Sequence, residues 1–141
     1  MMKRAERTKL LIEVGSELAL QLAATICEQY QVEEISPPKE GLVMIKMRET
    51  AQKSLFYLGE VLVTETKVKI GNYYGIGLVR ESAPELSKAL AVIDAAYAAQ
   101  LPETYAWAPH FELLAQQLAI NEQHMKRSIE RTKVNFDTMA T

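Results

Sequence analysis

Cysteine occurs once in the 141 residues, histidine twice and tryptophan once. The lone thiol, Cys27, has no partner for an internal disulfide, which points to a reducing compartment. His110 and His124 stand far apart, and one cysteine does not complete a zinc site, so no metal held by this chain is expected. Neither sign of charge dominates: 16 Lys and Arg oppose 18 Asp and Glu, a net charge of −2. Duplex binding by phosphate neutralisation needs a basic excess, so nucleic acid is not an expected partner. No apolar run approaches the ~18 residues of a membrane-spanning helix. The opening Met1-Met2-Lys3-Arg4-Ala5-Glu6-Arg7 leads into no apolar signal core. The expectation is a soluble, cytoplasmic protein without a membrane partner.

What is present is an ordinary globular mixture, 48% hydrophobic and 24% charged, which excludes disorder and collagen-like architectures. The length suits a single domain over residues 1–141. Lys3 to Val14 are good helix formers, interrupted at Gly15-Ser16, and a second helix runs to about Tyr30 with Leu18, Leu22, Ile26 and Tyr30 on one face. Cys27 reads as a small packing residue beside that stripe, since no nucleophile partner is near. Val32 to Ile35 reads as a short strand, and Ser36-Pro37-Pro38-Lys39-Glu40-Gly41 as a turn that stops it. Val43, Ile45 and Met47 alternate with Met44, Lys46 and Arg48 in the next strand. Leu55 to Ile70 is long for one flat strand, with Gly59 placed for a bulge, and Gly71-Asn72 is a hairpin turn that sends Tyr73 to Val79 back antiparallel.

Ser82-Ala83-Pro84-Glu85 opens a helix reaching about Gln100. Its apolar stripe of Leu86, Leu90, Ile93 and Tyr97 is extended by alanine around nearly the whole circumference. Two readings stand side by side: Ala89, Val92, Ala96 and Ala99 face another subunit, or alanine is there as a strong helix former. Leu101 to Pro109 reads as an irregular connector, followed by a helix from about His110 to Thr132. Residues 133–141 read as an extended C-terminal arm whose alternating Val134, Phe136 and Met139 suit a partner surface. The fold expected is α+β: a central antiparallel sheet of about four strands, N-terminal helices and two C-terminal helices.

Few residues suggest chemistry. Asp94 flanks the apolar stripe, and a carboxylate there is either a functional group or the partner of a sheet cation such as Lys46 or Arg48. Glu60, Thr64, Glu65 and Thr66 crowd one strand, as a ligand site or as solvated strand residues. Lys46, Arg48, Lys53, Lys67 and Lys69 would gather a phosphate-rich ligand if they converged. Gly75-Ile76-Gly77 follows a hairpin and opens no helix, so it reads as close packing in a strand and not as a phosphate loop.

Three blocks together resemble a known family. Gly41-Leu42-Val43-Met44-Ile45-Lys46 with Phe56-Tyr57-Leu58-Gly59-Glu60-Val61-Leu62-Val63-Thr64-Glu65, then Ala91-Val92-Ile93-Asp94-Ala95, then Val134-Asn135-Phe136-Asp137-Thr138-Met139, are similar to the PhnG family of the bacterial carbon-phosphorus lyase system. The resemblance implies a complex with the PhnH, PhnI, PhnJ and PhnL proteins. With PhnH, PhnI and PhnL it implies displacement of adenine from ATP by methylphosphonate, giving alpha-D-ribose 1-methylphosphonate 5-triphosphate. It implies no cofactor on this chain, the iron-sulfur cluster with S-adenosylmethionine belonging to PhnJ. Family members often carry Arg-Val-Asp-Phe where this chain has Lys133-Val134-Asn135-Phe136, a change that removes a guanidinium and a carboxylate. A homodimer, or strand or arm exchange between isolated copies, fits the same apolar features. The alternative function is a small homo-oligomeric enzyme binding phosphate or nucleotide through Asp94 and the Lys46, Arg48 and Glu65 region.

Overall fold

A computed structural model describes residues 2–48 and 55–140, with side chains described for 2–44 and 59–132. In chain order come α1 (Arg4–Glu13), α2 (Ser16–Gln29), β1 (Val32–Arg48), β2 (Leu55–Ile70), β3 (Tyr73–Arg80), α3 (Pro84–Ala98), α4 (Pro102–Ala106) and α5 (Ala108–Ala140). The fold is α+β with an antiparallel sheet. The sheet has three strands in the order β1-β2-β3. Two segments expected as separate strands are one: β1 continues through Ser36-Pro37-Pro38. Proline tolerates this because β1 is an edge strand that pairs only with β2, and because register shifts between Glu34 and Ser36 and between Ser36 and Lys39 let the ladder skip residues there. A third shift falls between Ile45 and Lys46, opposite Gly59, where the sequence placed a bulge. At the β2-β3 hairpin Gly71 takes a φ of 61°, the left-handed conformation the two-residue turn demands.

The chain divides into two compact units, Met1–Gly15 with Ala106–Thr141, and Ser16–Tyr105. In the second unit α3 packs across one face of β2 and β3, and α2 packs on α3. Thr64, Thr66, Val68 and Ile70 of β2 and Gly75, Gly77 and Val79 of β3 are buried on that face. Ala19, Leu22, Ala23 and Ile26 are the buried residues of α2. Cys27, one step round from Ile26, is exposed and does not pack beside the stripe as the spacing suggested.

In the first unit α1 lies against α5. A Cβ on Gly15 would stand 2.7 Å from Leu114 Cδ1, so the missing side chain admits the leucine. The stretch expected to be irregular contains α4, with Pro102 at its first position, where proline has no amide to lose. Residues 133–140, expected as an extended arm, are helical backbone continuous with α5. No glycine or proline follows Pro109, and each further residue of an established helix adds a hydrogen bond at low entropic cost, which outweighs a three-residue alternation. Among the described residues no single helix is long and apolar enough to cross a membrane.

Candidate functional site

The glycine pair of β3 sits under α3 with the two backbones in contact. A Cβ on Gly77 would run into the Ser87 carbonyl oxygen and come within 2.7 Å of the Ala91 nitrogen. One on Gly75 would meet the Ala91 carbonyl oxygen, the Ala95 nitrogen and, at 2.8 Å, the Ala95 Cβ. Ser87, Ala91 and Ala95 recur every four residues, so they form one small-residue ridge along α3 that the glycines receive. Gly75-Ile76-Gly77 is therefore a packing element, as its position after a hairpin implied.

A line of hydroxyls fixes the helix in place along this seam. Ser87 Oγ is 2.9 Å from the Gly77 carbonyl, to which it donates, and 2.8 Å from Thr66 Oγ1, from which it accepts. Thr64 Oγ1 donates to the Glu81 carbonyl at 2.7 Å and accepts from the Ala83 N–H at 3.1 Å, holding the turn that begins α3. Glu81 takes a φ of 78° in that turn. Thr64 and Thr66 are fully buried. Their hydroxyls serve the helix-to-sheet joint, where an unpaired polar group would cost about 1–3 kcal/mol.

Asp94 is half-buried, and its Oδ2 accepts the Ile76 N–H at 2.9 Å. Ile76 stands opposite Lys67 in the register, yet this amide turns away from β2 toward the outer edge of β3. The carboxylate thus satisfies a backbone donor on an edge strand. Lys46 and Arg48, its proposed ion-pair partners, lie in β1 opposite Tyr57 and Leu55, and their side chains fall outside the described ones, as Lys53 falls outside the described residues. Glu65 is on the sheet face away from α3, since its β2 neighbours Thr64 and Thr66 point to the helix, and it pairs with Lys67 at 3.5 Å. Asp94 and Glu65 are not brought together. Lys69 shares the face of Glu65 and Lys67, with its Nζ 5.5 Å from the centroid of the Tyr74 ring. Among the described residues no group of three or more His, Cys, Asp and Glu side chains is placed to hold a metal ion.

The partner-facing residues read from the alanine helix need correction. Ala89, Val92 and Ala96 are 3%, 0% and 0% exposed, enclosed by the chain's own fold, because α3 has the sheet on one side and α2 on the other. Ala99 is half-buried at the helix end. Val134, Phe136 and Met139 fall in the part of α5 whose side chains lie outside the described ones.

The structure shows two features that sequence reasoning missed. Tyr30 donates its hydroxyl to Glu103, 2.9 Å from one carboxylate oxygen and 3.1 Å from the other. That hydrogen bond, aided by desolvation and by the carboxylate's charge, raises the tyrosine pKa above its ordinary value. A raised folded-state pKa means the contribution to stability is complete below the unfolded tyrosine's pKa of about 10 and is lost as pH rises through the folded value. In an alkaline titration followed by tyrosinate absorbance, Tyr30 will ionise later than an ordinary tyrosine, and Tyr30→Phe will remove that late step. A titration unchanged by Tyr30→Phe would contradict the pairing.

The second feature is the open sheet face. Because the glycines take the inward positions of β3, the apolar residues between and beside them point outward: Tyr74, Ile76 and Leu78 are 61%, 45% and 48% exposed. A family model described as phosphonate metabolism protein PhnG matches residues 2–141. No curated protein matches the chain.

Proposed function

We propose, from the premise that this chain belongs to the PhnG family of phosphonate metabolism proteins, that it is a component without independent chemistry in the complex that joins methylphosphonate to ATP. In that reaction a phosphonate oxygen bonds to the ribose carbon as the bond to adenine breaks, giving alpha-D-ribose 1-methylphosphonate 5-triphosphate. The chain's part is to supply surface to PhnI, alongside PhnH and PhnL, with the radical chemistry left to PhnJ. The family match over residues 2–141 carries this reading. It is supported by the engagement of the two best candidate acids elsewhere, Asp94 with a backbone amide and Glu65 with Lys67.

Co-expression with PhnI, followed by size exclusion, is expected to give one co-eluting species, and PhnH, PhnI and PhnL are expected to form product only when the chain is present. Separate elution, with PhnI fully active alone, would overturn the proposal. Calorimetry of the isolated chain with ATP is expected to show no binding. Binding abolished by Asp94→Asn would favour the small-enzyme reading instead.

A further inference from the structure

From Thr64 to Ile70 the sheet buries one face under α3 and presents the other. Antiparallel neighbours point to the same side, so Tyr74, Ile76, Leu78 and Arg80 of β3 share this outer face with Lys69, Lys67, Glu65 and Val63 of β2. Beyond β2, the register adds Lys39, opposite Glu65, and Val43, opposite Val61, with Val43 47% exposed. Tyr74, Ile76 and Leu78 stand in line along β3, with Lys69, Lys67 and Glu65 directly beside them on β2 and Val63 farther along, opposite Arg80. An exposed apolar row of this kind, bordered by charge, marks an interaction surface.

A partner reaches this surface by its face and not by adding a strand. At the β3 edge the Ile76 amide is taken by Asp94. At the β1 edge Pro37 and Pro38 lack amide hydrogens, and register shifts on either side of Ser36 break the ladder. Strand addition needs an uninterrupted row of backbone donors and acceptors, which neither edge offers.

The charges on the face select the partner. Lys39, Lys67, Lys69 and Arg80 outnumber Glu65 and Glu33, the latter placed here by its pairing with Lys69, although the whole chain is net negative at −2. Two copies laid face to face would set one basic rim against another. We propose that this face docks a partner protein whose contact surface carries an apolar strip for the β3 row and, beside it, an acidic strip for the lysines of β2, a proposal that rests on the chain being part of a complex. Tyr74, with Lys69 over its ring, Ile76 and Leu78 are the apolar anchors. The lysines and Arg80 steer the approach.

The test is a binding titration of the full chain against co-expressed PhnH, PhnI and PhnJ, with folding of each variant verified by circular dichroism. Leu78→Glu, at an exposed position, is expected to weaken binding by at least about tenfold. The double variant Lys67→Glu with Lys69→Glu is expected to bind more weakly and to lose most of the salt dependence of the wild type. Ala98→Glu, exposed on α3, is expected to bind as the wild type does. Wild-type binding with both face variants unaffected would overturn this inference and leave the reading of the chain as a complex component intact. A wild-type chain that binds none of the three proteins would overturn both. A homodimer of the isolated chain that Leu78→Glu dissociates would assign the face to a second copy and overturn the proposed partner.

Discussion

Gly77→Ala will destabilise the chain by at least about 3 kcal/mol, the upper part of the range for overpacking a filled site, and Gly77→Val will leave little folded protein. The atoms an added Cβ would strike are the Ser87 carbonyl oxygen and the Ala91 nitrogen, both backbone atoms of α3. A side chain in the way could rotate aside. A helix backbone cannot, so α3 must lift from the sheet, and the bonds from Ser87 to the Gly77 carbonyl and from Thr66 to Ser87 stretch with it. Against a typical total stability of about 5–15 kcal/mol, such a loss is a large fraction. Gly41→Ala is the matched control, because a Cβ there meets nothing within 4 Å. Alanine costs less conformational entropy than glycine in a strand, so this variant will be neutral or up to about 1 kcal/mol more stable. Urea unfolding followed by circular dichroism measures all three variants. A Gly77→Ala midpoint equal to the wild type would mean that helix and strand are not in contact there.

That seam also explains what the sequence could and could not tell. The helix break at Gly15, the Gly71-Asn72 hairpin and the start of α3 after Ser82-Ala83 are local events, written in residues whose backbone preferences decide the outcome alone. The path of β1 through Pro37-Pro38 was not legible, because proline stops a strand only where its missing amide is needed, and which strand lies at the edge is a property of the whole sheet. The outward direction of Ile76 and Leu78 was hidden for a related reason. Alternation normally turns the apolar residues of a strand inward, but here the closeness of α3 reserves the inward positions for Gly75 and Gly77. Ile76 and Leu78 are surface, and the alanines of α3 read as facing outward are core. Asp94 drew notice as a carboxylate beside the apolar stripe, while the backbone amide of β3 that it accepts from left no mark in the composition.

Ala96→Leu will therefore weaken the isolated chain, with unfolding shifted by about 1–3 kcal/mol, whereas Ala99→Leu will stay within about 0.5 kcal/mol of the wild type. Alanine and leucine are close in helix propensity, so the difference between the two variants reads packing and little else. Ala96 is fully enclosed, and three extra carbons there must displace atoms of the chain's own core. Ala99 is half-buried just past the last turn of α3, where a larger side chain has solvent to extend into. The comparison separates two ways in which this helix serves an assembly. If the alanines faced a partner, Ala96→Leu would leave the lone chain as stable as before and abolish only the association with other proteins of the complex. With α3 held between the sheet and α2, the order reverses: Ala96→Leu lowers the melting temperature of the lone chain, and the variant that spares folding while losing the partner is Leu78→Glu on the opposite face of the sheet. A thermal melt of the isolated Ala96→Leu chain that superimposes on the wild type would restore the helix as a candidate interface beside the sheet face.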